Sequence, residues 1–135
     1  MPGDAFDVTA FGIYSKNLLL IRGWGISSLA VNIGAGGSYT PDLNQAVEHN
    51  ITCAGAITIN APVEFAGPLA GFVHLLILHI KNPTGGPIVS TLNAKYHLPT
   101  TFNANIGAGT GDILTFHHDD VADVWYAVAA QTVSL

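Results

Sequence analysis

Apolar and polar residues alternate over short stretches along most of this chain, with the two-residue period of β-strands. The segment 56–60 shows the pattern most clearly, because Ile57 and Ile59 fall on one face and Thr58 and Asn60 on the other. No stretch of helical length repeats its apolar residues with the period of an α-helix. Strands are therefore predicted near residues 6–13, 17–22, 27–33, 47–53, 56–60, 72–80, 87–93, 112–117 and 123–130.

Glycine, proline and asparagine separate these stretches, as they separate the strands of all-β domains. Eight or nine short strands in a chain of 135 residues predict a single domain, an antiparallel β-sandwich whose best-fitting arrangement is the jelly roll. A glycine-rich stretch at residues 34–41 marks a weak boundary within that domain. We expect residues 1–45 to form an N-terminal arm or extra strands that pack on a sandwich core of residues 46–135.

The strand predicted at residues 72–80 is apolar on both of its faces. Phe72 and Leu76 belong to one face, and Val73 and Leu75 belong to the other. A strand of this kind is normally covered on both sides. The sandwich core would cover one side, and the N-terminal section or a neighbouring subunit would cover the other.

Charged side chains are scarce, at 10% of the chain, while 49% of the residues are hydrophobic. Ordinary soluble domains carry roughly 25% charged residues. Charge keeps a free monomer soluble and protects the edges of its sheets, so this shortage predicts that much of the surface is buried in an assembly. Four basic residues and a net charge of −5 argue against binding to nucleic acids or anionic membranes.

Cysteine usage and the N-terminus add little to this picture. Cys53 is the only cysteine, so an intramolecular disulfide is excluded, and its alternating surroundings predict a small buried side chain. The N-terminus lacks the pattern of a signal peptide, and the apolar runs are shorter than the roughly 20 residues of a membrane-spanning helix. We therefore expect neither export nor membrane insertion.

The polar residues form no recognisable catalytic or cofactor-binding motif. The glycine-rich segments match neither the dinucleotide fingerprint nor the P-loop, and no nucleophile elbow is present. Possible metal ligands are concentrated in His117-His118-Asp119-Asp120. Neighbouring residues of a strand point to opposite faces, so His117 and His118 do not easily share an ion, and the two aspartates are typical of a hairpin turn. The sequence therefore predicts no catalytic, cofactor or metal site, and no enzymatic activity.

Candidate contacts with partners lie in the loops and in the strand that is apolar on both faces. Trp24 is flanked by glycines in a predicted bend, where an exposed indole would anchor an interface. The loops at residues 34–45 and 99–111 are long enough to serve as interaction surfaces. His74 is interpreted as a buried or interface histidine. The candidate interface residues are Trp24, Tyr39, Phe72, His74, Phe102, Asn103 and Asn105.

Several motifs follow one another from residue 51 onward. Ile-Thr-x-x-Gly-x-Ile-Thr-Ile-Asn-Ala-Pro spans residues 51–62, and Leu-His-Ile-Lys-Asn with a Pro-Thr-Gly-Gly turn spans residues 78–86. Asp-Ile-Leu-x-Phe at residues 112–116 precedes Trp125-Tyr126. This order resembles the small β-sandwich modules of tailed-bacteriophage virion proteins, which occur as head decoration proteins and at the ends of tail or neck fibres.

The resemblance implies a trimer-forming structural protein without enzymatic activity. The leading hypothesis is a capsid decoration, or cement, protein of the virion, which binds the major capsid protein or other virion proteins as a homotrimer. The alternative is a fibre-tip module that recognises a host receptor through exposed aromatic residues such as Trp24, Tyr39, Tyr96 and Phe102. A remote alternative is a cupin-like metal enzyme, which the spacing of the histidines disfavours.

Overall fold

The structure, a computed structural model, describes residues 18–20, 24–64, 74–84, 86–102 and 105–135. Within these ranges the chain is all-β, as predicted, and contains no helix, so none that is long and apolar enough to cross a membrane. The strands are β1 (Leu18–Leu20), β2 (Trp24–Ile26), β3 (Ser28–Ile33), β4 (Ser38–Tyr39), β5 (Glu48–Cys53), β6 (Thr58–Ile59), β7 (Leu75–Asn82), β8 (Ile88–Val89), β9 (Thr91–Leu92), β10 (Tyr96–His97), β11 (Asn105–Ile106), β12 (Thr110–Asp119) and β13 (Val124–Ser134).

Strands are present at most of the predicted positions. Those expected near residues 27–33, 47–53, 72–80, 112–117 and 123–130 correspond to β3, β5, β7, β12 and β13. The loops expected at 34–45 and 99–111 each contain a two-residue strand, β4 and β11, which is too short to produce a periodic pattern. The strand predicted at residues 6–13 lies outside the described residues.

Six strands form the main sheet, in the order β10-β13-β12-β7-β5-β3. Strand β12 is antiparallel to both β13 and β7, whereas the pairs β3–β5, β5–β7 and β10–β13 are parallel. The prediction of an antiparallel sheet is therefore wrong. Parallel neighbours need long return connections, and the segments between β3 and β5 and between β5 and β7 are long enough to provide them.

The return connections build a second, smaller sheet. Its strands β4, β6 and β9 are parallel and lie in the order β4-β6-β9. From β3 to β9 the chain thus alternates between the main and the small sheet, as the coils of a parallel β-helix do. Two further antiparallel pairs, β1–β2 and β8–β11, lie outside these sheets. Residues 28–45 accordingly contribute strands to both sheets.

The hydrophobic core is shared by the two sheets, because each contributes side chains to one buried cluster. On β7 and β12 every second residue faces this core, which gives each strand an alternating burial pattern. Ile57, Ile59 and Cys53 are buried, as predicted, and burial raises the pKa of the Cys53 thiol to about 11. The main-sheet members of the core include Ile51, Leu76, Leu78, Leu114, Phe116 and Trp125, and the small sheet adds Ile59 with the half-buried Tyr39 and Leu92.

The opposite face of the main sheet is only partly covered within the described residues. We call its central part the outer patch, formed by Leu75, Ile77, Ile113, Thr115 and Tyr126. Leu75 is 48% exposed and Tyr126 is 44% exposed, while the other three are half-buried. Cover of the second face of the strand at 72–80 by a neighbouring subunit stays a prediction, and Leu75 is the residue of β7 that such a subunit would cover.

Candidate functional site

His118 is the centre of the most unusual polar cluster among the described residues. It lies on β12 beside the β12–β13 turn, and its side chain is only 3% exposed. Its ring stacks on that of Trp125, its direct neighbour on β13, with a centroid distance of 4.5 Å. The ring of His74 lies 6.0 Å from that of His118 and is nearly parallel to it, at 10°. The backbone N–H of His118 also donates a hydrogen bond to the carbonyl of His74, at 3.0 Å.

Three carboxylates surround the imidazole of His118. Oε1 of Glu64 lies 3.3 Å from Nε2, and Oδ1 of Asp123 lies 3.5 Å from the same nitrogen. Oδ1 of Asp120 lies 2.8 Å from Nδ1. These oxygens are close but do not lie along the N–H directions of the ring, so neither ring nitrogen has a hydrogen-bond partner. A buried polar side chain in this condition is destabilising unless another group satisfies it.

Glu64, His74 and His118 form a group of possible metal ligands among the described residues. Each offers one ligand atom, and these three atoms all lie within 4.8 Å of one another. Glu64 comes directly before residues 65–73 and His74 directly after them. The cluster therefore brings Glu64 and His74, which are distant in sequence from residues 118–123, to the β12–β13 hairpin.

Glu64 is positioned by the turn at residues 41–46. The backbone N–H and the Nδ2 of Asn44 both donate to Oδ1 of Asp42, at 2.9 Å. Nδ2 of Asn44 also donates to the carbonyl of Glu64, at 2.9 Å. Burial raises the pKa of Asp42, but the hydrogen bonds from Asn44 and Gln45 together lower it further, so the net shift is downward. An ionised Asp42 thus fixes Asn44, and Asn44 fixes the backbone from which Glu64 reaches His118.

The β12–β13 hairpin turn, which the sequence predicted from Asp119 and Asp120, also positions Asp123. Oδ1 of Asp119 accepts hydrogen bonds from the backbone N–H groups of Val121 and Ala122, at 3.0 and 3.1 Å. Asp123 has a φ of 53°, in the left-handed region that aspartate tolerates better than most residues. This conformation brings the Asp123 carboxylate close to both His118 and Lys95. The hydrogen bond and ion pair with Lys95 lower the pKa of Asp123.

The sequence predicted the faces of the histidines correctly, but it did not predict that His74 and His118 are neighbours. His118 is buried and His117 is half-buried on the opposite face, and His74 and His79 differ in the same way. The prediction that His117 and His118 point to opposite faces is therefore confirmed. His74 and His118 meet because β7 pairs with β12, and no local signal in the sequence reports that pairing.

The predicted interface residues occupy varied positions. His74 is buried in the cluster, and Phe102 packs partly against the core. Trp24 begins β2 and Asn105 begins β11, while Phe72 and Asn103 lie outside the described residues. Whether these residues contact partners stays a prediction.

Tyr96 does not have the exposure that the fibre-tip alternative expected. It is 7% exposed and belongs to the core, where its ring packs against Phe116 with a centroid distance of 4.9 Å. Its hydroxyl donates to the carbonyl of Asn60, at 2.9 Å. Tyr39 is half-buried, and its hydroxyl donates to Nδ1 of His49, at 2.7 Å. The expected exposed groove is therefore wrong for Tyr96.

His49 makes stability depend on pH. It is fully buried, and because Nε2 donates to the carbonyl of Ala46 at 3.0 Å, Nδ1 is left as the acceptor for Tyr39. Burial lowers the pKa of His49. The neutral form thus stabilises the fold fully above the ordinary histidine pKa of about 6.5, and that contribution is lost as the pH falls below it. We expect a lower urea midpoint at pH 5 than at pH 7.5.

The variant His49→Gln separates this effect from other titrations. Glutamine keeps a donor and an acceptor but takes up no proton, so the difference between the two pH values should shrink. His97→Gln, a change at an exposed residue, serves as the control and should leave the difference unchanged. An undiminished pH dependence in His49→Gln would refute the assignment.

The fold and the cluster together define an all-β protein with a mixed main sheet and a buried histidine–carboxylate cluster at one hairpin. No protein-family model, curated protein or solved structure matches the chain. The similarity to virion modules therefore stays a prediction from the motifs.

Proposed function

We propose that this chain is a non-enzymatic structural protein that acts by burying its surface against other subunits. Its specific role in this proposal is that of a capsid decoration protein of a tailed bacteriophage. The outer patch is the observation that carries the structural role, because an exposed apolar surface rimmed by polar residues is characteristic of protein interfaces. The motifs from residue 51 onward support the assignment to the virion.

The outer patch crosses several neighbouring strands. Leu75 on β7, His117 on β12 and Tyr126 on β13 lie side by side in the sheet register. Tyr126 in turn lies beside His97 on β10, and their rings meet edge to face with a centroid distance of 5.2 Å. The charged residues Glu48 and Lys81 border this surface rather than interrupt it. A flat, mostly uncharged sheet face of this kind is suited to packing against another subunit.

Copies of the same chain are the proposed occupants of the outer patch, in a homotrimer whose loops at 34–45 and 99–111 face the major capsid protein. The low charge supports self-association, since 10% charged residues provide little repulsion between copies. Within each subunit we propose that the two sheets form a sandwich, because they share one core. The parallel pairs favour a wound sandwich over a jelly roll.

The fibre-tip alternative gains no support from the aromatic residues. Tyr96 is buried, and Tyr39 and Phe102 are largely turned toward the core. Burial of Tyr96 and half-burial of Tyr39 and Phe102 reduce the aromatic surface on which a receptor could stack.

The oligomeric state tests the structural role. We expect the full chain to sediment as a trimer, and the double variant Leu75→Ser/Tyr126→Ser to weaken association about tenfold or more, since each side chain would lose an apolar contact. Val121→Ser is the matched control, because Val121 is 99% exposed at the tip of the hairpin. A monomeric wild type, or equal weakening by Val121→Ser, would contradict the role of the outer patch.

The copy number in purified virions tests the decoration role separately. Quantitative mass spectrometry should find this chain at an abundance comparable to that of the major capsid protein. A few copies, in multiples of three, would instead support the fibre-tip module. Absence from the particles would overturn the virion assignment and leave only the self-association to be explained.

A further inference from the structure

We propose that Glu64, His74, His118 and Asp123 bind a divalent transition-metal ion that has a structural role, with Zn²⁺ as the best match. This inference is independent of the proposed role in a virion. It depends on the geometry around Nε2 of His118, on the unsatisfied state of that side chain, and on the chemistry of the four groups.

The distances between the ligand atoms fit a tetrahedral ion. Zinc binds imidazole nitrogen and carboxylate oxygen at about 2.0–2.2 Å, so two ligands at tetrahedral angles lie roughly 3.3–3.5 Å apart. Nε2 of His118 lies 3.3 Å from Oε1 of Glu64 and 3.5 Å from Oδ1 of Asp123. Both separations match an edge of the tetrahedron. The ligand atom of His74 lies within 4.8 Å of those of Glu64 and His118, which makes it the fourth candidate ligand.

His118 supplies the second, independent observation. Its side chain is 3% exposed and neither ring nitrogen has a hydrogen-bond partner. A proton on Nε2 would draw the carboxylates of Glu64 and Asp123 onto the N–H axis, but both oxygens lie away from it. An ion that is shared by Nε2 and the two carboxylates accounts for oxygens that are near the nitrogen and yet not aligned with it.

Asp120 occupies the position of an orienting partner. Histidines that bind metals commonly present their other ring nitrogen to a carboxylate, which fixes the tautomer and raises the basicity of the ligand. Oδ1 of Asp120 lies 2.8 Å from Nδ1 of His118, on the far side of the ring from Glu64 and Asp123. Because Asp120 is 43% exposed, it has room to align with the N–H once Nε2 is bound.

The ligand set indicates a structural zinc site. Two imidazoles and two carboxylates suit Zn²⁺, whereas Mg²⁺ and Ca²⁺ prefer six or more oxygen ligands. Four protein ligands also leave no open position for a substrate, which distinguishes this site from that of a cupin-like enzyme. The ion would fasten the chain at Glu64 and at His74 to the β12–β13 hairpin.

Zinc binding by the full chain, after treatment with a chelator, tests the proposal. Calorimetry should find one tight Zn²⁺ per chain, and Tm should rise by roughly 5–10 °C at a hundredfold excess over the Kd. A tenfold excess of Mg²⁺ or Ca²⁺ should not compete. Bound Co²⁺ should show the strong visible absorption of tetrahedral coordination.

Variants at the exposed side of the cluster keep the test independent of folding. Glu64→Gln preserves shape, and Asp123→Asn preserves the tolerance for a left-handed φ, so both should fold and lower the zinc affinity by about tenfold or more. His117→Gln is the matched control, because it removes the adjacent imidazole on the opposite face and should leave the affinity unchanged. Absent binding, equal loss in His117→Gln, or unchanged affinity in Glu64→Gln and Asp123→Asn would each overturn the proposal.

Discussion

Replacement of Asn82 with Asp should lower the free energy of unfolding by about 3 kcal/mol or more, although the two side chains have nearly the same shape. Asn82 is fully buried at the end of β7. Its Nδ2 donates to the carbonyls of Gly86, Ile106 and Gly107, at 2.8, 3.1 and 3.1 Å. Aspartate has no hydrogens to donate, so its carboxylate would face three carbonyl oxygens in a buried site.

The replacement of Asn82 with Asp removes only the donor of the side chain and leaves its acceptor, Oδ1, in place. Its Oδ1 accepts hydrogen bonds from the backbone N–H of Thr84 at 3.1 Å and from the Thr84 hydroxyl at 2.5 Å, and aspartate can keep both. Asn93→Asp is the matched control, because Asn93 is exposed and uses only its Oδ1, as acceptor for the N–H of Lys95. Urea unfolding should show a change within about 0.5 kcal/mol for Asn93→Asp. Similar losses in both variants would contradict the role of the buried amide.

Replacement of Trp125 with Ala should cost about 3–5 kcal/mol of stability, the range expected when a large aromatic side chain leaves a cavity in a core. Trp125 is fully buried, and its ring supports that of His118. Its backbone N–H, which donates to the carbonyl of Lys95 at 2.8 Å, is unaffected by the change. The loss measured by chemical denaturation would therefore report side-chain packing.

Tyr126→Ala provides the comparison for Trp125→Ala. The two residues are adjacent on β13 but point to opposite faces, and Tyr126 is 44% exposed. We expect its truncation, measured at a concentration at which the chain is monomeric, to cost about 1 kcal/mol or less, as for a surface substitution. Equal losses in the two variants would mean that the two faces of β13 are buried to the same extent, contrary to the structure.

The sequence predicted where most of the long strands lie, but it did not predict which strands pair with each other. The two-residue alternation predicted β3, β5, β12 and β13, because a strand with one buried face must alternate, and a run that is apolar on both faces predicted β7. The same alternation is compatible with parallel and antiparallel pairing, so the mixed order of the main sheet was not predictable from it. Of the small sheet, β6 and β9 lie within the strands predicted at residues 56–60 and 87–93, whereas the two-residue strand β4 lies in a segment that was expected to be a loop.

In the candidate site, the burial of single residues could be predicted from the local sequence, but the contacts between distant segments could not. The burial of His118 and the half-burial of His117 follow from their alternate positions on β12. The meeting of His118 with Glu64 and His74 depends on which strands pair and in which register. Register is decided by the burial of whole faces and by distant contacts, which a single sequence does not display.

The hydrogen bonds of Asn82 give a structural reason for one of the motifs that resemble virion modules. The step Ile80-Lys81-Asn82 places an aliphatic side chain and an amide on the same buried face, and the amide then joins two loops through three carbonyls. The backbone N–H and the hydroxyl of Thr84 donate to the remaining polar atom of the side chain, Oδ1 of Asn82. This pattern meets a structural requirement of the fold, and it can recur wherever a strand must end by joining such loops.

The mixed sheet also has a consequence for the order in which the chain acquires its structure. The long hairpin of β12 and β13 brings together neighbours in sequence, and hairpins form within about 1–10 μs. The parallel pairs between β3, β5 and β7 must instead close long loops, which slows folding toward the millisecond range and beyond. During synthesis the order is reversed, since the fast hairpin leaves the ribosome after β3, β5 and β7. The apolar strand β7 is therefore made well before β12 can cover its edge, and in that interval the nascent chain is most exposed to aggregation.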